Sequence, residues 1–303
     1  MNRHWDKIQE FTGENPDVRK FVFEKEDVCV EAVLYRYGSY EKRTVLCISV
    51  QSGCPVGCVF CGTGKQFIRN LTCEEITSQL DYIVTKVEQE LGIDSLNARC
   101  EKYQVMFMSM GEPMLNWDNV KAAIKEIHRT ERNAQLLIST IGIKDQEVWS
   151  DLCRLSMSID KIGLQFSLHS GFDEERNKLI PFVNKWNIRE IRDAGIMWNQ
   201  CTGRPVYLNL CVDDQNLEAE EINRIMDVFS PAVFNFTFSV ICEYENGKVK
   251  SELHKQFIMQ RCEVIMTKFL TQGYNVRKFD PAGQEIGAGC GQLFYVQQWM
   301  KAR

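Results

Sequence analysis

The chain has 303 residues, 44% of them hydrophobic and 25% charged, with a net charge of −5. That composition excludes wholesale disorder, and the length suits either about two domains or one unbroken α/β barrel. The acidity excludes a generally basic nucleic-acid coat, though not a local phosphate-binding surface; no apolar run is long enough for a membrane span, and the opening MNRHWDKIQE lacks a secretory stretch.

Residues 1–43 precede the regular pattern and read as an N-terminal extension in which 28–37 forms a hairpin-like strand. Strands are predicted at 44–50, 104–110, 134–140, 162–168, 205–212, 233–240 and 275–278, each a short run rich in β-branched, aromatic and other apolar residues. Helices are predicted at 72–90, 118–130, 146–156, 188–199, 218–229 and 251–272; Thr72 with Glu75 three residues on is a capping-box start. Repeated strand–helix alternation implies parallel strands joined by right-handed crossovers, hence a barrel or an open α/β sheet. The expected division is an extension at 1–43, a barrel at 44–240 and a C-terminal segment at 241–303 carrying a helix, a strand and a reactive cysteine.

In such folds ligands sit beyond the carboxyl ends of the strands. The residues following the first four strands are QSGCPVGCVFC, then Gly111-Glu112-Pro113, then Ser139-Thr140, then Ser167-Leu168-His169. Polar, glycine-marked and thiol groups therefore converge on one rim.

Thirteen cysteines are many for an intracellular chain, and an odd count excludes complete internal pairing. Most have no ligand spacing and read as small buried hydrophobes. Cys54, Cys58 and Cys61 differ: they form C-x3-C-x2-C, a spacing for which chance is a poor account. Zinc usually takes a fourth protein ligand, which no neighbouring CxxC supplies. Three thiolates on a short loop suit a 4Fe–4S cluster with one iron open to a small molecule. Taken alone, Cys47 in its apolar strand reads as core. Cys290, flanked by glycines in GAGCGQ, reads as an accessible thiol or a buried tail cysteine.

The triplet, with an aromatic before its last cysteine and placed after the first strand, resembles the radical S-adenosylmethionine (SAM) superfamily. TVLCISVQSGCPVGCVFC, RNLTCEEITSQ, MSMGEPMLNWDNV, ISTIG, FSLHS and GCGQL, in order, resemble more closely the RlmN/Cfr family of RNA adenine methyltransferases. The resemblance covers roughly residues 28–295. It implies a partial parallel (β/α)6 radical SAM barrel, with Cys54, Cys58 and Cys61 holding a 4Fe–4S cluster and SAM bound at its open iron. It further implies that Gly111 and Glu112 meet the amino end of SAM, and that Ser139, Ser167, Leu168 and His169 contact its sugar and carboxylate. The family's Trp-Asn-Pro signature is absent here, and Asn246 is the nearest substitute for its SAM-contacting asparagine. An Arg-Gly pair expected before the last cysteine is replaced by Asp280-Pro281-Ala282-Gly283.

By the same resemblance, Cys290 takes a methyl from one SAM and a second SAM generates the radical that activates it. The resulting carbon radical adds to C2 or C8 of an adenine. Glu31 removes the ring proton, and Cys47 attacks Cys290, releasing product and leaving a disulfide. The implied partners are an RNA (rRNA or tRNA), an electron donor such as flavodoxin or ferredoxin, and a thiol reductant. A cytoplasmic monomer without a membrane anchor is expected. The chain begins near the extension, without the N-terminal domain usual in the family, so the rim cations Arg36, Lys42, Arg43, Lys65 and Arg69 are the expected phosphate contacts and a compact RNA such as a tRNA loop the favoured substrate. Two alternatives remain at this point: a radical SAM enzyme acting on another nucleobase or a small metabolite, and a non-enzymatic iron–sulfur or zinc module sensing redox state.

Overall fold

A computed structural model describes residues 4–213, 216–240, 244–245, 248–249, 252–279, 283–289 and 292–293. Strands β1 (Lys7–Thr12), β2 (Val18–Lys25), β3 (Val28–Tyr37) and β4 (Ser39–Ile48) form an antiparallel meander. The extension is thus larger than the expected hairpin, with two strands ahead of the one read from the sequence. A small antiparallel pair, β5 (Gln51–Gly53) and β6 (Phe67–Asn70), follows; then come α1 (Cys73–Leu91), the short α2 (Leu96–Arg99), β7 (Lys102–Phe107) and α3 (Trp117–Thr130). The chain continues through β8 (Gln135–Thr140), α4 (Gln146–Ser158), β9 (Ile162–Ser167), α5 (Asp173–Leu179), α6 (Ile188–Thr202), β10 (Val206–Val212), α7 (Ala219–Val228) and β11 (Phe234–Val240). A two-stranded ribbon, β12 (Tyr244–Glu245) with β13 (Lys248–Val249), precedes α8 (Glu252–Thr271) and β14 (Val276–Phe279).

Ten strands make one sheet in the order β1-β2-β3-β4-β7-β8-β9-β10-β11-β14. From β4 onward every neighbouring pair is parallel. The sheet therefore carries the predicted parallel core, with β14 adding to it beyond β11. The helix starts follow local chemistry: Thr72 and Glu75 form the predicted capping box, and Asn187 with Glu190 forms a second at α6.

Strand pairing assigns each side chain to a face, because successive residues alternate. Leu46, Val105, Ile138, Leu164, Leu208 and Phe236 lie on the face beneath the helices and are fully or almost fully buried. Phe236, for instance, meets Phe269 of α8 with ring centroids 4.5 Å apart. The opposite, concave face is polar: Gln104, Ser139, Gln165, Asn209 and Ser239 share it with Cys47. Its members bond to one another, Gln165 Nε2 to Ser139 Oγ at 3.1 Å and Asn209 Nδ2 to Ser239 Oγ at 2.9 Å. Buried amides and hydroxyls are costly unless paired, so a polar lumen under an apolar shell points to a site rather than to a core. Among the described residues no helix is long and apolar enough to cross a membrane.

Candidate active site

The three motif cysteines lie on the loop between β5 and β6. Gly53 opens that loop with φ 75°, and a Cβ there would meet Gln66 O at 2.0 Å, so the position demands glycine. The Cys54 amide donates to Gln66 O at 2.8 Å, and that of Cys61 to Cys58 O at 3.1 Å. Burial pushes the Cys54 thiol up to about 12, with the negative charges of Cys61 and Glu112 adding to the rise. Cys58 is raised by the same burial and by Cys61, Cys54 and Glu112. The three thiols are thus close enough to repel one another as thiolates, and iron would relieve that repulsion. Among the described residues no three His, Cys, Asp or Glu side chains converge on a single metal ion. Three cysteine thiols on one short loop suit the protein ligands of a 4Fe–4S cluster.

Glu112 stands beside them, 3% exposed. Its Oε1 accepts from the Met114 amide at 3.1 Å and its Oε2 from the Ile141 amide at 2.9 Å, tying the β7 rim to the β8 rim. Burial raises its carboxyl to about 7, against the hydrogen bonds from Thr140, Ile141 and Met114. Gly111 has φ 99°, and a Cβ there would strike the Gln51 side chain at 2.6 Å. Gln51 in turn accepts the Glu112 amide at 2.9 Å through Oε1. Ser139, one residue before the end of β8, and Ser167, the last residue of β9, lie on the concave face.

Leu168 and His169 direct their amides to Asn209 O at 3.0 and 3.1 Å. His169 is buried with φ 61°, unusual for a residue with a side chain, and its Nδ1 has no hydrogen-bond partner among the described residues. Its ring meets Phe60, the residue before Cys61, edge-on at 4.9 Å. Burial, then the Arg176 charge, lowers its pKa to about 3, so it is a neutral imidazole beside the thiol loop. A buried polar atom left open at a rim is where a ligand would supply the missing bond.

Cys47 and Val33 are cross-strand partners on β4 and β3, and Glu31 lies two residues along the same face. Such diagonal neighbours stand about 7–8 Å apart. Glu31 is fully buried and its Oε2 is 3.1 Å from Lys20 Nζ, itself 7% exposed. Cys290 and Asn246 lie outside the described residues. The residues flanking Cys290 are placed: Ala288 O accepts from Tyr35 Oη at 2.8 Å, and Leu293 O from Thr63 Oγ1 at 2.8 Å. Tyr35 is on the β3 face that carries Glu31, and Thr63 is two residues past Cys61. Of the expected phosphate contacts, two are already engaged: Arg36 pairs with Asp17 at 2.6 Å, and Arg69 with Asp27 and Glu75 at 2.7 and 2.8 Å.

Sequence reasoning missed Lys20 and Arg176. Arg176 is 1% exposed and donates to four backbone carbonyls, those of Ile141, Ser167, Leu168 and Trp186. It holds together the ends of β8 and β9, where Ser139, Ser167 and His169 sit.

The sequence pattern of the radical SAM superfamily matches residues 48–209, and with this barrel and thiol loop the protein is a radical SAM enzyme. A relative from Dictyoglomus turgidum, named probable dual-specificity RNA methyltransferase RlmN, is 31% identical over 299 residues, covering 95% of this chain and 78% of its own. One of the same name from Chlorobium phaeobacteroides is also 31% identical over 299 residues, covering 95% and 76%. The crystal structure of a radical SAM methyltransferase from Sphaerobacter thermophilus superposes with a TM-score of 0.77 at 25% identity, over 94% of this chain and 80% of that one. The chain belongs to the RlmN family of radical SAM methyltransferases.

Proposed function

We propose that this protein methylates C2 or C8 of an adenine in RNA through an S-methylated Cys290, consuming two SAM per turnover. The observation that carries the reading is the pair of anchors around Cys290. Tyr35 draws one flank to the face of Glu31 and Cys47, and Thr63 draws the other to the thiol loop. The anchors hold described residues on either side of Cys290, one at the face of Glu31 and Cys47 and one at the thiol loop, which supports a role for Cys290 between the two.

Cys54, Cys58 and Cys61 would hold the 4Fe–4S cluster, and Glu112, Ser139, Ser167 and His169 would line the SAM site. When bound, cluster and SAM supply the methyl group and the one-electron chemistry that activates it. The chain's own groups supply the rest. Cys290 is methylated as thiolate, forming a new S–C bond as SAM's sulfonium loses that methyl, and the methyl carbon is later joined to the base. Glu31, held beside Lys20, accepts the proton from the substituted ring carbon. Cys47 as thiolate attacks Cys290 sulfur, so the S–C bond breaks as an S–S bond forms, the released carbon takes up a proton to become the product methyl, and an external thiol reduces the disulfide. An electron donor such as flavodoxin or ferredoxin is required, and Asn246 is proposed as a further SAM contact. The cytoplasm, as a reducing compartment, suits these free thiols, and a monomer suffices for the chemistry.

Anaerobically reconstituted protein, supplied with RNA, SAM and a reductant, should yield a methyladenine by nucleoside mass spectrometry and a ~14 Da increment on the Cys290 peptide, one methyl group on the nucleophilic thiolate. Full turnover by Cys290→Ala would overturn the reading.

A further inference from the structure

The lumen has a second end, opposite the thiol loop, and it is lined by cations. Arg43 and Lys102 are register partners on β4 and β7, where both strands enter the barrel. Arg277 reaches the same end from β14, an edge strand of the sheet; there Phe279 meets Tyr35 of β3 with ring centroids 5.8 Å apart and narrows the gap between β14 and the meander. The Arg43 guanidinium lies 4.3 Å over the Tyr37 ring and bonds Gln104 Oε1 at 3.1 Å. The Arg277 guanidinium lies 4.5 Å over the Tyr207 ring.

Among the described residues none of these three cations has a carboxylate at ion-pair distance. Arg43 and Lys102 are both lowered from their ordinary values, by burial first and then by the neighbouring cations. The acids nearest along the strands, Glu41 and Glu101, are exposed, and Glu41 is drawn to Ser39 and Arg99 instead. Elsewhere the fold pairs its cations, as Arg19 does with Glu10 and Glu90. Two half-buried cations and an exposed third, mutually repelling and unneutralised around a polar channel, are a site for an anion.

We propose that Arg43, Lys102 and Arg277 form a phosphodiester-binding mouth that grips the RNA backbone while one unstacked base passes between Tyr37 and Tyr207 into the lumen. Cys47 lies on the same face four residues beyond Arg43, roughly 13 Å along the strand. That depth suits a nucleotide whose phosphate stays at the mouth and whose base points inward. Each ring already carries a guanidinium over one face, and Tyr37 also stacks against Tyr35, so the tyrosines hold the cations along an aromatic passage whose contacts are sequence-independent. The inference rests on the RNA reading above and adds the route by which the strand enters.

The test is binding of a fluorescent RNA stem-loop to reconstituted holoprotein across a range of KCl concentrations. Lys102→Gln and Arg277→Gln should each weaken binding several-fold and reduce the slope of log affinity against log salt by about 0.7, the loss of one single-strand phosphate contact. Arg277→Lys should restore much of the affinity, and Lys125→Gln, an exposed cation on α3, should leave both quantities unchanged. Circular dichroism and thermal melting identify any variant that fails to fold. Unchanged affinity and slope in folded Lys102→Gln and Arg277→Gln, with wild-type RNA binding intact, would overturn the mouth alone. Displacement of RNA by AMP at equal concentration would also overturn it, in favour of a mononucleotide site. Wild-type protein that binds no RNA at all would overturn the substrate reading and the mouth together.

Discussion

Tyr35 Oη donates a 2.8 Å hydrogen bond to Ala288 O, joining residues 253 apart in the chain. The bond fixes the described end of the segment that carries Cys290 against strand β3. Tyr35→Phe removes the donor and leaves a buried carbonyl unmatched, at a cost of about 1–3 kcal/mol local to that segment. Hydrogen exchange should rise at 283–289 while the barrel strands keep their protection. The ~14 Da label on Cys290, expected from its proposed role as a nucleophilic thiolate, should fall in parallel. Unaltered labelling with raised exchange would separate the anchor from catalysis.

The Lys20–Glu31 pair is buried on both sides, and removing one partner of such a pair typically costs about 3–5 kcal/mol. Lys20→Met should therefore destabilise strongly, because it strands a carboxylate in the sheet. The double variant Lys20→Met with Glu31→Gln should recover much of that stability in chemical denaturation. Under the proposed role of Glu31 it should not recover methyl transfer, and it should accumulate protein joined to RNA, since the ring proton then lacks its acceptor. Recovery of turnover in the double variant would remove Glu31 from the reaction.

Much of this site was legible in the sequence because its signals are local. The strand–helix alternation located β4 and β7 to β11 within a few residues, and the thiol spacing marked the loop after β5. What escaped depends on partners far along the chain. VRKFVFEK looks too charged for a buried strand, yet Arg19 is neutralised by Glu90 on α1 and Lys20 by Glu31 on β3. DEERNKL looks like an exposed loop, yet it forms α5 around a buried arginine. Arg36 and Arg69 looked available, and their acidic partners become neighbours only on folding. Periodicity reports which face is apolar; it does not report which charges meet.

His169 gives the site a pH signature before any cofactor is added. Its pKa is lowered from 6.5 to about 3, so between those values the unfolded chain holds a proton that the folded one does not. Stability contributed by the neutral ring is present above about pH 6.5 and is lost as pH falls below it. At about pH 5 the loss should approach 2 kcal/mol, from roughly 1.4 kcal/mol per pH unit. His169→Asn, which tolerates the positive φ, should flatten this acid limb in urea titrations of the cofactor-free protein. An identical limb in the variant would assign the acid sensitivity to other groups.

Changing Cys58→Ala should reduce bound iron and abolish reductive cleavage of SAM, because a cluster with two thiolate anchors is exposed to loss. Iron and labile sulfide assays, with detection of 5′-deoxyadenosine, check both. Full iron with full cleavage would place the cluster elsewhere.

Arg176 is where support and chemistry are hardest to separate, and its energetics argue for support. Burial lowers its pKa from 12.5 to about 10, a cost of about 3 kcal/mol for keeping the charge inside. Four hydrogen bonds from a charged donor, at about 1.5–3 kcal/mol each, exceed that cost. The guanidinium fork spans the ends of two strands; the single ammonium of a lysine has three donors and no such plane. Arg176→Lys should therefore lose about 2–4 kcal/mol of stability by analogy with other broken buried networks. Because Ile141, Ser167 and Leu168 then lose their common donor, the β8 and β9 rims should drift apart. The consequence expected in the folded fraction is weaker SAM binding, with the iron content of the thiol loop preserved. Equilibrium dialysis with labelled SAM, normalised to bound iron, measures this directly. Equal loss of iron and SAM would mean that Arg176 supports the whole barrel end rather than the SAM-facing rim.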